Sequence, residues 1–179
     1  MTVASMFRRM AGAARLEVAV YEEVEADRSA TWQAVAIAVV SSLAITVGDY
    51  HRGDVNVDVL ARFLAGLAGW ITWLFFIWLV GVKMLPEPET RSNLGELVRT
   101  TGFASTPGIF RIFGLVPVVG WLIVIAAWLW TLASMVVAVR QALDYKSLPR
   151  AIVVCVIGFI GQLTVIYLQI AFLRTVTEG

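Results

Sequence analysis

The stretch Glu96–Gly120, ELVRTTGFASTPGIFRIFGLVPVVG, decides how the rest of the chain is read. It is apolar enough to enter a membrane, yet it carries Pro107, Pro117, four glycines and Arg111. Proline removes a backbone donor and kinks a helix, and inside lipid only neighbouring helices or nearby hydroxyls can repair the loss. Ser105 and Thr106 stand beside Pro107 for that purpose. The stretch is therefore expected to form an imperfect third membrane span over 97–115. Its first turn, with Glu96 and Arg99, is amphipathic, and Arg111 snorkels or points inward near its end. The uncharged turn Leu115–Gly120 follows.

On either side the apolar runs are simpler. Of the 179 residues 59% are hydrophobic, above the roughly 45–50% of a soluble domain. Mean hydropathy is +0.81. Spans of about 20 apolar residues cross about 30 Å of hydrocarbon. Such runs occur at about 31–48, 60–82, 118–139 and 151–173, which with 97–115 predicts an all-α, polytopic bundle of five transmembrane helices over 30–174. The first run is rich in small residues and is expected to pack against other helices. In the second, Ala65, Gly66, Ala68 and Gly69 permit close contact, while Trp70, Trp73 and Trp78 suit lipid. Residues 1–29 read as one amphipathic cytoplasmic helix with Leu16, Val20 and Val24 on a stripe and Tyr21 beside it, either a solvated pre-membrane helix or one whose Met6, Phe7, Arg8, Arg9 and Met10 rest on anionic headgroups. Asp27 or Ser29 caps the next helix, and residues 175–179 are a tail. No cleavable signal peptide is expected, because acidic residues interrupt the first thirty positions.

Lysine and arginine set orientation. With five spans, one side holds Arg8, Arg9, Arg15, Arg28, Lys83, Arg91, Arg99, Arg140, Lys146 and Arg150, ten in all; the other holds Arg52, Arg62 and Arg174. This bias predicts a multi-pass protein of the cell inner (plasma) membrane, with a cytoplasmic N-terminus and the C-terminus outside. Arginine outnumbers lysine twelve to two, a hint of a bacterial source.

The chemistry on offer is sparse. A net charge of +1 argues against a nucleic-acid partner. One cysteine, Cys155, and one histidine, His51 on the 49–58 loop, provide neither a disulfide nor a two-histidine metal site. No nucleophile–base motif is visible, and no carboxylate lies in the middle of a confident span, so no enzyme activity, metal or cofactor is predicted. Gln162 and Gln169 are seven apart on one helical face. They are read as interhelical hydrogen-bond glue, with a polar pathway as the alternative. Glu96 and Arg99 read as a surface pair or a docking face.

Several segments together resemble the Yip-domain family of small five-span membrane proteins. They are YEEVEADRSATWQA, PEPETRSNLGELVRTTGFASTPGIF, GLVPVVGWL and VRQALDYKSLPRAI. The family's glycine–aromatic–small–x–x–proline element is matched by Gly102, Phe103, Ala104 and Pro107, and its proline–glycine turn by Pro117 and Gly120. The resemblance implies a protein that binds partners or its own kind and is not an enzyme. Eukaryotic members are linked to Rab-type GTPases. This chain resembles the shorter prokaryotic branch, so GTPase binding is not carried over. The expected role is membrane-embedded protein–protein association, as a scaffold or membrane organiser in contact with the lipid bilayer. The alternative is a small transporter or channel subunit for an anionic or neutral solute, using Arg111 and the Gln162/Gln169 face. A lipid-directed enzyme would need Glu96, Arg99, Arg111 and Tyr145 around one headgroup pocket.

Overall fold

A computed structural model describes residues 3–48, 59–88, 90 and 92–177, with side chains described to residue 168. The described residues include seven α-helices: α1 (Val3–Ala14), α2 (Val18–Ala26), α3 (Thr31–Gly48), α4 (Val59–Trp78), α5 (Leu94–Ala104), α6 (Gly120–Ala142) and α7 (Leu148–Thr177). A 3₁₀ turn, Arg28–Ala30, leads into α3, and a π-helical turn, Leu79–Met84, ends α4. The loop holding His51 lies outside the described residues.

Four segments are long and apolar enough to cross a bilayer: Arg28–Gly48, Val59–Met84, Gly120–Ala142 and the described part of α7. The 23 residues of α6 reach about 34 Å at 1.5 Å per residue. The expected five transmembrane helices are thus corrected to four. The segment 97–115 is not one helix. It is α5, which begins at Leu94 and ends at Ala104, followed by a 3₁₀ run, Thr106–Leu115. Pro107 has no N–H to give to the Phe103 carbonyl. The Thr106 hydroxyl donates there instead at 2.7 Å, and the Ser105 hydroxyl donates to Thr101 O at 3.0 Å.

The broken segment runs alongside α3 in the same direction. A Cβ at Gly102 would meet Ala34 at 2.6 Å, Gly108 faces Ser41, and Gly114 and the Arg111 carbonyl lie against Gly48. The chain thus passes from one end of α3 to the other despite the break. On its far side it packs against α6. α7 packs against α4, where Gly158 meets Ile77 and Gly161 meets Phe76. The turn before α6 is tight: Val118 takes φ 69°, and Gly120 N–H donates to Val116 O at 2.9 Å.

The N-terminal segment departs from expectation. Instead of one surface helix there are two, broken at Leu16, whose φ is 63°. Neither is simply solvated. Val20, Tyr21 and Val24 share a buried cluster with Ala34, Ile37, Phe103, Ala104 and Ala138. Arg9 is buried as well. It donates to Glu23 at 2.9 Å, Asp27 at 2.8 Å and Gln33 at 3.2 Å, while Arg8 reaches Glu23 at 2.6 Å. Arg9 is thus taken up by internal contacts, while Arg8 pairs with Glu23 from an exposed position. Asp27 caps the turn into α3, accepting from Ser29 N–H at 3.0 Å.

Candidate functional site

The distinctive polar structure sits at one end of the bundle, where α2, the α4–α5 connection and the α6–α7 connection meet. Helix ends leave carbonyls without intrahelical donors. Here side chains from other elements supply them. Arg99 of α5 is buried, with 6% of its surface exposed. Its Nε donates to Val24 O at 3.0 Å and Glu25 O at 2.9 Å, and its Nη2 also donates to Glu25 O. These are last-turn carbonyls of α2, the negative end of its dipole, where a fixed cation is favoured. The Tyr21 hydroxyl donates to Ala13 O at 3.0 Å, and the Trp130 indole to Ala14 O at 2.6 Å, so α1 is finished in the same manner.

The end of α4 is held from the α6–α7 connection. The π-helical turn shifts the carbonyl positions, and the Tyr145 hydroxyl donates to Gly81 O at 3.0 Å and Leu85 O at 2.6 Å. Glu87 accepts from Lys146 N–H at 3.0 Å and pairs with Arg150 at 3.2 Å. The Thr90 hydroxyl donates to Leu143 O at 3.0 Å. A positive φ of 53° at Asp144 turns the chain within this joint.

Electrostatics follow the same map. The Lys146 backbone N–H and the Arg150 guanidinium hold Glu87 below the usual carboxylate range. Hydrogen bonds from Arg8 and Arg9 do the same for Glu23, and those from Ser29 and Arg9 for Asp27. Glu25 goes the other way. Burial, reinforced by Asp144, Glu96 and Glu22 and opposed by Arg99, pushes its carboxyl up to about 7.

The residues singled out in the sequence fall into distinct places. Glu96 forms a capping box with Asn93: Asn93 N–H donates to Glu96 at 2.9 Å, and Glu96 N–H donates to Asn93 Oδ1 at 3.1 Å. Its carboxylate is thus turned to the helix start, while Arg99 turns to α2. Gly102 is the close crossing with α3, Phe103 and Ala104 are fully buried, and Pro107 marks the break. Pro117 and Gly120 form the turn into α6, where a Cβ on Gly120 would strike the Gly114 carbonyl. Arg111 lies on the 3₁₀ run, near the end of α3 and remote from Arg99. Gln162 lines a cleft with Trp70 and packs on Gly69; the Gln169 side chain lies outside the described residues. Glu96, Arg99, Arg111 and Tyr145 do not surround one headgroup pocket. Among the described residues no group of three or more metal-ligating side chains occurs.

Sequence reading missed Arg9, Tyr21 and Tyr145 as carbonyl or carboxylate partners. A tyrosine beside an apolar stripe and another after a helix end were the available signals, but the partner atoms are backbone groups distant in the chain.

The fold and this joint define a polytopic α-helical membrane protein, with four apolar spans and a broken element packed along them. Residues 17–168 match the Yip1 domain family model, most of the chain, and the protein belongs to that family. No curated protein and no solved structure matches it.

Proposed function

We propose that this Yip-family protein is a non-enzymatic membrane component that acts by membrane-embedded association with itself or with another membrane protein. The observation that carries the reading is the fate of Arg99. This charged residue, just before the family element that begins at Gly102, is buried and bonded to the end of α2, not presented to a substrate. Tyr21 and Tyr145 likewise tie helices together, and Glu96 caps the start of its own helix. Their chemistry goes into shape. What remains outward is a broad apolar surface, including Trp32, Ile71, Phe113, Trp121 and Ile160, suited to lipid and to other helices.

We take the membrane to be the plasma membrane, and the charge bias supports an orientation with the polar joint in the cytoplasm. The N-terminal helices and the α4–α5 and α6–α7 connections gather at one end of the bundle, and these segments hold the ten positive residues counted above. α7 leaves that end, in keeping with a C-terminus on the outside.

The test is cross-linking in native membranes, then affinity capture with lipids retained and mass spectrometry. A homo-oligomer or one dominant membrane partner is expected; a clean monomer overturns the reading. A second reading, a small transporter or channel subunit for an anionic or neutral solute, draws support from a hydroxyl-lined cavity of about 170 Å³ beside the break. It fails if proteoliposomes show no solute or ion flux.

A further inference from the structure

Two cavities meet inside the bundle, and their linings differ in kind. The smaller, about 170 Å³, lies between α3, α4, α5 and α6 and holds Ser41, Ser42, Thr46, Ser105, Thr131 and Arg62. The larger, about 440 Å³, opens between α4, α6 and α7 and is walled by Trp70, Trp73, Trp128, Leu132 and Phe159, with Gln162 at one edge. Trp70 and Met135 line both. The larger volume falls within the roughly 300–1,000 Å³ typical of small-ligand sites. Its outer rim, including Trp128, Leu132 and Phe159, is exposed on the apolar exterior.

The polar cavity carries unused hydrogen-bonding capacity. Thr46, Ser105 and Thr131 give their protons to Ser42 O, Thr101 O and Ala127 O of their own helices. Their oxygens keep lone pairs. Ser41 is only 3% exposed, and its hydroxyl borders the cavity. The Trp70 indole N–H is buried without a partner among the described residues. Buried donors of this kind are rare and call for an explanation. The break helps shape the space: a Cβ at Gly108 would collide with Ser41 Oγ and lie 3.7 Å from Thr131 Oγ1.

We infer that the paired cavities form a binding site for one single-chain amphiphile. Its head is small, donates as well as accepts hydrogen bonds and carries no positive charge. A long-chain carboxylic acid, protonated in the buried site, is the simplest such molecule. The head occupies the hydroxyl cavity, where the Ser41 and Trp70 donors supply hydrogen bonds and the Arg62 cation on the wall disfavours an ammonium group. The alkyl chain lies in the tryptophan cleft and enters from the bilayer between α6 and α7. The site is a property of a single bundle and does not depend on the association reading.

A diazirine-bearing hexadecanoic acid tests this with the full-length protein in phosphatidylcholine/phosphatidylglycerol vesicles. Photolabelled peptides are expected to concentrate on the facing segments of α4, α6 and α7, and excess unlabelled hexadecanoate should remove the label. Leu132→Trp fills the cleft from its exposed rim and should abolish labelling there. Ser41→Ala and Trp70→Phe each remove one donor and should weaken competition by about fivefold, the factor for one lost hydrogen bond of about 1 kcal/mol. Labelling spread evenly around the apolar surface, without competition and unaffected by Leu132→Trp, overturns the site. So does competition that neither Ser41→Ala nor Trp70→Phe alters in proteins whose melting temperatures match the parent.

Discussion

Arg99 shows how one side chain can govern a junction. Its guanidinium is buried because two carbonyls at the end of α2 need donors and have few other sources. Replacing it with leucine keeps the bulk and strands those carbonyls. We expect Arg99→Leu to cost about 2–3 kcal/mol, read as a lower unfolding temperature in detergent, with Arg99→Lys recovering part of the loss. Glu25 stands beside it with its carboxyl raised to about 7. The folded protein then holds a proton that the unfolded chain releases near the ordinary glutamate range. Stability from this group is therefore fully present at low pH and falls as pH rises toward 7. Glu25→Gln should raise the unfolding temperature at pH 8 and leave it nearly unchanged at pH 4.5. A pH-independent difference would mean that the carboxyl does not titrate differently on folding.

At the scale of elements, the break between α5 and the 3₁₀ run balances three local effects. Pro107 withholds a donor, Thr106 replaces it, and glycines at 102, 108 and 114 let the segment lie close to α3. Thr106→Val removes the replacement while keeping the shape, and should destabilise by about 1–2 kcal/mol in a thermal melt. Pro107→Ala restores an N–H and favours a straighter helix, which the packing against α3 and α6 does not accommodate. It should lower both stability and association. If Pro107→Ala and Pro117→Ala both leave assembly and melting unchanged, the break is not central to the protein's action. The kink and its hydroxyl partners are legible in the STPG spelling itself, because proline chemistry and side-chain caps act within one turn. The end of α5 at Ala104 and the 3₁₀ geometry beyond it are not, since an apolar run to Leu115 reads equally well as a helix.

Across the whole molecule, the N-terminal helices behave as part of the bundle. Arg9 joins α1 to α2 and α3 through Glu23, Asp27 and Gln33. Removing one partner of a buried charged network is expensive; with the carboxylates partly exposed, Arg9→Ala should cost about 2 kcal/mol. It should also release α1, seen as faster proteolysis before Val18 while the spans stay protected. The carboxyls of Glu23 and Asp27 are held below their ordinary range. Their contribution is thus present at neutral pH and lost as pH falls through the lowered values, so acid should reproduce the release.

What the sequence determined by itself is the class of molecule: long apolar runs, short polar connections, a proline-marked irregularity and the family element around it. Hydrophobic length and proline chemistry are local and survive without knowledge of neighbours. The boundaries of α3 follow from the same local information, as does the cap at Asp27. The tertiary structure decided where polar side chains spend their hydrogen bonds. Arg99 does not pair with Glu96 one turn away but reaches α2, some 74 residues distant in the chain. Arg8 and Arg9 meet carboxylates of α2 and the turn beyond it. The hydroxyls of Ser41 and Thr131 come from separate helices and border one cavity, with Gly108 leaving room beside Ser41. Apolar burial selects elements along the chain, but a buried donor is satisfied by whichever acceptor the packing brings within about 3 Å, and spacing in the sequence does not identify that acceptor.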